Sequence, residues 1–405
     1  MSFILFPVKT VMWLALLVAL GCSYSLQAAT YVLVEGEDVI GRVQHATAAG
    51  SDTLLDIARR FNVGLNAIQA ANPDVDPWMP GAGTRVLIPN RFVLPSGRRE
   101  GIVVNVAEMR LYYFFQPEGS PPLVSTYPIS IGREGWDTPL GEYKVVHRLR
   151  RPSWTVPASV HAEAEARGER MPRVVLPGPD NPLGEYAMTL DAPGYLIHGT
   201  NRPYSIGMRA SHGCVRLYPE DIELLIHRTP KETPVRIVDE SFKHGYRDGV
   251  LYLEVHKPTT EKGELDLRHL VNQTSEILPS RMWEDDWRRL RQAAEQALGI
   301  AEPVVRVAPP NPRVSQWLLD VGVYTDIEKA REFMLKIERL EYPVSLDRCN
   351  GQSCRLVVGP FRDQGGMSEI SKKVKWVVGY TPTVVRYEYE ADGMSTASLV
   401  ASAAD

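Results

Sequence analysis

The chain has 405 residues, 44% of them hydrophobic and 23% charged, enough for roughly two to four domains with buried cores. A formal charge of −4 excludes the broad basic face that nucleic-acid binding needs, so no nucleic-acid partner is expected.

The first thirty residues differ in kind from the rest. Lys9 is followed by VMWLALLVALG and then by small residues in CSYSLQAAT. The apolar run is shorter than the ~20 residues that span a membrane. Residues 1–29 therefore read as a signal peptide removed on export, with cleavage near Ala28 or Ala29. The other reading is a lipid anchor on Cys22, where Ala19 stands three places earlier instead of the usual leucine.

A small unit follows over residues 45–90. In SDTLLDIARRFNVGLNAIQAANP, Asp52 is a candidate N-cap, and Leu54, Ile57, Ala58 and Phe61 recur at helical spacing. A second short helix runs from Gly64 to about Ala71, and the turn-rich PWMPGAGTRVLIP leads into a strand. The order strand, helix, helix, strand, with the blocks GSDTLLDIARRFNV, IQAANP and GTRVLIP, resembles a LysM module. That resemblance implies binding to N-acetylglucosamine-containing glycans; the alternative is an uncommitted helical hairpin.

Strand-like runs dominate residues 97–240: IVVNVAEMRLYYFF, LVSTYPISIG, GEYKVVHRL, AMTL, YLIHG and PVRIV, punctuated by Gly and Pro. A helix opens at Pro219, with Glu220 and Asp221 in its first turn and His227 and Arg228 in its last. This unit is expected to be mostly β, with its chemistry on loops.

Residues 241–313 read as a helical and Pro-rich linker, from the exposed helix EDDWRRLRQAAEQALG and the run EPVVRVAPPNPR. Residues 314–389 then alternate strand, helix, strand, strand, helix, strand, the order of a ferredoxin-like α+β domain. DVGVY, EKAREFMLKIE, YPV and RLVVGPF are similar to a SPOR domain, which implies binding to glycan strands stripped of stem peptides; a generic interaction domain of the same fold is the alternative.

If Cys22 leaves with the signal, three cysteines remain. Cys349 and Cys354 bracket a turn between strand-like runs, and a cross-strand disulfide is expected in an oxidising compartment. That leaves Cys214 as an odd free thiol, which in an exported protein needs a reason.

Cys214 lies in IHGTNRPYSIGMRASHGCVRL with His198 and His212. A zinc site would have only two histidines and one thiolate in an unusual spacing, so no metal is expected. A structural polar loop leaves the thiol unexplained. In the third reading Cys214 is a nucleophile whose pKa a histidine partner lowers, with Gly213 allowing a tight turn whose amides face an oxyanion.

IHGT and SHGCVRL, with TPLGEYKV upstream, look like the YkuD-type L,D-transpeptidase family and its periplasmic Gram-negative branch. The twelve residues between His198 and Ser211 make a spacer slightly shorter than in many members. The resemblance implies that Cys214 is the nucleophile and His198 its base, oriented through the Gly199 carbonyl. His212 shapes or polarises the site, and the Gly213 and Cys214 amides form the oxyanion hole. Arg216 meets a substrate carboxylate or braces the loop, Ser211 is architectural or near substrate, and Trp154 stands in a lid or substrate wall over residues 150–188. His161, in the same segment, reads as solvated surface.

The implied reaction is cofactor-free acyl transfer in the periplasm. The third residue of a peptidoglycan stem is acylated, D-alanine leaves, and an amine of another stem or of an outer-membrane lipoprotein accepts the acyl group. An L,D-carboxypeptidase or stem-cleaving cysteine hydrolase is one alternative. A non-enzymatic peptidoglycan-binding scaffold is another. The fold expected is thus multidomain: a βααβ LysM-like module, a mostly-β L,D-transpeptidase catalytic domain and a ferredoxin-like α+β SPOR-like domain.

Overall fold

The structure, a computed structural model, describes residues 29–117, 121–257, 284–306, 315–340, 342–347, 353–361, 364–388 and 398–400. The expected signal peptide, Cys22, Cys349 and the Pro-rich stretch 307–314 lie outside the described residues.

The central unit is mostly β. Its nine-stranded sheet runs in the order Ala29–Val32, Leu123–Pro128, Arg110–Phe115, Gly101–Asn105, Pro234–Val238, Gly141–Arg150, Tyr186–Leu190, Leu196–His198, Val215–Arg216. Two neighbouring pairs are parallel, Gly101–Asn105 with Pro234–Val238 and Leu196–His198 with Val215–Arg216; the others are antiparallel. Ile102, Val104, Leu111, Tyr127, Met188 and Ile197 point into one core. The helix Pro219–Arg228 closes that core with Ile222, Leu225 and Ile226, and its end charges suit its dipole. The edge strand Ala29–Val32 comes from residues ahead of the small N-terminal unit, so the chain leaves this sheet and returns to it.

In the N-terminal unit, Gln44–Thr47 and Arg85–Ile88 pair antiparallel around the helices Leu54–Arg60 and Leu65–Ala71. The N-cap of the first helix is Thr53, in a capping box with Asp56, rather than Asp52. Asp52 instead pairs with Arg60 at 2.6 Å.

Residues 241–313 are not simply a linker. Phe242–Arg247, Val250–Val255 and Glu302–Arg306 form a three-stranded antiparallel sheet. Asp248 and Gly249, at φ +53° and +71°, make the tight two-residue turn that an Asp-Gly pair favours. The helix Glu284–Gln296 is not exposed all round, because Leu290 is buried against Leu251, Leu253, Val304 and Val305.

The C-terminal unit has strands Ser315–Tyr324, Val344–Asp347, Cys354–Phe361 and Thr383–Glu388 with helices Ile327–Glu338 and Met367–Val378. The second strand neighbours the third, the third the first, and the first the fourth, all antiparallel, as in a ferredoxin-like fold. Cys354 is buried and disulfide-bonded; its expected partner, Cys349, is among the residues not described.

Candidate active site

The parallel pairing of Leu196–His198 with Val215–Arg216 sets His198 opposite Arg216 and Ile197 opposite Val215. Cys214 immediately precedes the second strand, so the register sets it beside Leu196, two residues before His198 along the neighbouring strand. The nucleophile and base candidates thus fall on adjacent strands.

His198 is buried, and its Nδ1 lies 2.6 Å from the Gly199 carbonyl oxygen. A carbonyl only accepts, so Nδ1 carries the proton and, in the neutral ring, Nε2 keeps its lone pair. Burial, with the nearby Arg216 charge, pushes the imidazole down to about 3, against the pull of the Gly199 and Leu183 carbonyls. The ring is therefore neutral, and able to act as a base, throughout the physiological range.

The thiol departs from expectation. Burial pushes Cys214 up, opposed by the Leu196 main-chain amide and the Arg216 charge. Its Sγ donates to the Gly194 carbonyl at 3.7 Å, and no hydrogen bond joins it to His198 among the described residues. At rest the thiol and the imidazole are both neutral rather than a thiolate and an imidazolium. Arg216 is the charge that favours the thiolate and disfavours the imidazolium.

Ser211 Oγ donates to the Cys214 carbonyl at 2.6 Å and accepts from the Gly213 amide at 3.2 Å. That amide, one of the two expected from the sequence to face an oxyanion, is thus engaged. Gly213 has φ +100°, and a Cβ there would stand 2.8 Å from Tyr195 Cε1, so only glycine fits the turn. Thr138, from the TPLGEYKV block, donates to the Gly213 carbonyl and accepts from the Gly132 amide, both at 3.0 Å.

Arg216 Nη1 donates to the Ala210 carbonyl at 3.0 Å, while its buried Nε has no partner. No carboxylate pairs with it among the described residues.

His212 makes no hydrogen bond to Cys214 or His198 among the described residues. Its Nε2 lies 2.8 Å from Glu163 Oε2, which also binds Arg133, and its ring meets Trp136 edge-on with centroids 4.7 Å apart. Arg133 and His212 hold the Glu163 carboxyl down at about 2. Glu163 belongs to the helix Ala158–Ala166 of the segment read as a lid, so that segment is tied to the cysteine loop through His212. Trp154 pairs with Val175 in the hairpin beside this helix and makes no hydrogen bond or ring contact to Cys214, His198 or His212. His161 is half-buried, with its Nε2 enclosed and unpartnered, rather than solvated. Arg133, Trp136 and Glu163 were invisible to sequence reasoning, because nothing in their local pattern marks them.

The His198 environment predicts an acid-sensitive fold. Its folded value near 3 lies below the unfolded value of about 6.5, so the unfolded chain takes the proton first. This contribution is complete above about pH 6.5 and drains away as the pH falls toward 3. Between pH 7 and pH 4 the wild-type chain should lose about 3 kcal/mol more than His198→Gln. Urea unfolding of both proteins at the two pH values measures the difference, and equal losses would refute the assigned environment.

Residues 99–237 match the family model for the YkuD L,D-transpeptidase catalytic domain. The chain is 43% identical over 260 residues to the "Probable L,D-transpeptidase YbiS" of Escherichia coli strain K12, spanning 62% of this chain and 83% of that protein. It is 40% identical over 241 residues to the "Probable L,D-transpeptidase ErfK/SrfK" of the same strain, spanning 58% of this chain and 76% of that one. Among solved structures, the catalytic domain of the E. faecium L,D-transpeptidase is 20% identical over 35% of this chain and 99% of its own, with a TM-score of 0.27.

Proposed function

This chain belongs to the L,D-transpeptidase family and is an enzyme carrying a YkuD catalytic domain, and from that premise we propose that Cys214 is acylated by the third residue of a peptidoglycan stem. The observation that carries this reading is the parallel register that places His198 and Arg216 side by side with Cys214 at the strand's start.

His198 Nε2 takes the thiol proton as sulfur adds to the carbonyl carbon, and the oxyanion meets the Cys214 amide. The C–N bond to the terminal D-alanine breaks, His198 returns the proton to the leaving amine, and a thioester remains. An acceptor amine then attacks the thioester, loses its proton to His198, and expels the sulfur, which is reprotonated. The side-chain amine of another stem's third residue gives a 3-3 cross-link; a lysine of an outer-membrane lipoprotein gives an anchored lipoprotein. Water in that step makes the enzyme an L,D-carboxypeptidase. The unpartnered Arg216 Nε supports a role in receiving a substrate carboxylate. Family membership sets aside the scaffold reading.

The flanking units fit the same setting. We assign the N-terminal unit to LysM-like and the C-terminal unit to SPOR-like glycan binding, with export to the periplasm by the N-terminal signal. Incubation with tetrapeptide muropeptides should add the mass of a stem acyl group to Cys214. Cross-linked dimers, lipoprotein conjugates or tripeptides alone identify the acceptor as stem, lipoprotein or water. Folded protein with no adduct would refute the assignment.

A further inference from the structure

The loop between the two halves of the site, residues 199–210, is not held by the catalytic unit alone. The Leu65 amide donates to the Ile206 carbonyl at 3.3 Å, and the Asn66 amide to the Gly207 carbonyl at 3.2 Å. These are first-turn amides of the helix Leu65–Ala71 in the N-terminal unit, groups that a helix cannot satisfy internally. Its N-cap, Gly64, has no side chain to offer them, so the active-site loop supplies the acceptors.

The contact is backbone against backbone. A Cβ on Gly64 would stand 2.8 Å from Gly207 Cα, and one on Gly207, at φ +86°, 2.2 Å from the Leu65 nitrogen. Met208 then packs onto the core of the N-terminal unit, and Arg209–Ser211 pairs with Ile131–Gly132 on the way to Cys214. On the far side of the cysteine the same unit grips again. Arg59 pairs with Glu220 at 3.3 Å and lies over the Tyr218 ring at 5.5 Å. The N-terminal unit thus touches the chain both before Ser211 and after Arg216.

We propose that the N-terminal βααβ unit is a positioning element for the acyl transfer, independent of any glycan it binds. By holding residues 206–208 and 218–220 it fixes the turn that carries Cys214, with Gly64, Leu65 and Arg59 as positioning residues. The proposal rests on Cys214 being the nucleophile.

Gly64→Ala in the full chain is the direct test. The Gly64 backbone is extended, at φ −77°, so alanine is tolerated there except for its overlap with Gly207. Gly50→Ala is the control in the same unit, since its Cβ would meet only Ala82 Cβ at 3.8 Å. Two rates are compared: acylation of Cys214 by a carbapenem, which needs an aligned base and oxyanion donor but no glycan, and alkylation by iodoacetamide at alkaline pH, where the solvent supplies the thiolate and only its accessibility matters.

Gly64→Ala should slow carbapenem acylation about 10- to 100-fold, the scale of a misplacement near 1 Å, and leave alkylation within about twofold of wild type. Hydrogen exchange at the amides of residues 206–214 should rise with it, while Gly50→Ala changes none of these. If Gly64→Ala unfolds the N-terminal unit, Arg59→Ala replaces it, with a smaller slowing in the same direction. Acylation at the control's rate, with the loop amides exchanging faster, would overturn the proposal. A wild-type chain that never acylates would refute Cys214 as nucleophile instead.

Discussion

Cys214→Ala should abolish acyl-enzyme formation, with turnover reduced on the order of 10⁶-fold, the loss expected when a covalent nucleophile is removed. No neighbouring group can substitute. Ser211 Oγ is committed to the Cys214 carbonyl and the Gly213 amide, and His212 is held by Glu163. His198→Ala should leave the thiol open to alkylation but slow acylation by roughly 10² to 10⁴, the usual share of a general base. Because the two groups act as one unit, the double variant should be no slower than Cys214→Ala alone. Single-turnover mass spectrometry on a tetrapeptide stem reads both effects, with thermal unfolding to confirm that each variant folds. Turnover by Cys214→Ala above about one per cent of wild type would be incompatible with the mechanism.

The elements that set this site were unequally legible. Cys214, His198 and His212 stood out because such residue types are scarce and were clustered in one stretch, and the strands around them carried β-branched runs that a half-buried sheet requires. The direction of the thiol's shift was not legible, because it depends on burial, which only the assembled sheet produces. Arg133 and Trp136 are neighbours in sequence, but Glu163 lies 30 residues from Arg133 and 49 from His212, and the four meet only where the helix Ala158–Ala166 packs. The hairpin Phe242–Val255 was readable in principle from Asp248-Gly249 between strand-like runs; assigning it to a linker overrode a local turn signal. The edge strand Ala29–Val32 was not readable, since four residues pairing with a strand some ninety positions later carry no local mark.

Lys243→Met should destabilise the fold by about 3 to 5 kcal/mol, the cost of breaking a buried ion pair from one side. Lys243 is buried in the strand Phe242–Arg247, with Nζ 2.8 Å from Glu108, 3.0 Å from Glu254 and 2.7 Å from the Val93 carbonyl. Glu254, itself fully buried, also accepts from the Val93 amide at 2.5 Å and binds His256 at 2.7 Å. Burial opposes the ammonium, yet the two carboxylates outweigh it and hold the lysine up. Lys243 and His256 in turn overcome burial and bring Glu254 down to about 2. Glu108, Glu254 and His256 lie close enough to hold a cation together, and the ammonium is the charge that meets the two carboxylates. Methionine keeps most of the volume and removes that charge, leaving Glu254 with His256 at 2.7 Å and Glu108 with the more distant Arg110 at 3.9 Å. The sign of the pH dependence then distinguishes electrostatics from packing. In the wild-type chain the folded Glu254 value lies below the unfolded one, so this contribution is present at neutral pH and lost as pH falls toward 2. In the variant burial dominates, the folded value rises above the unfolded one, and acidification relieves the strain. The gap between the two proteins in urea unfolding should therefore narrow from pH 7 to pH 4, and Glu254→Gln added to Lys243→Met should recover part of the loss. A gap that stays constant with pH would assign the effect to packing alone.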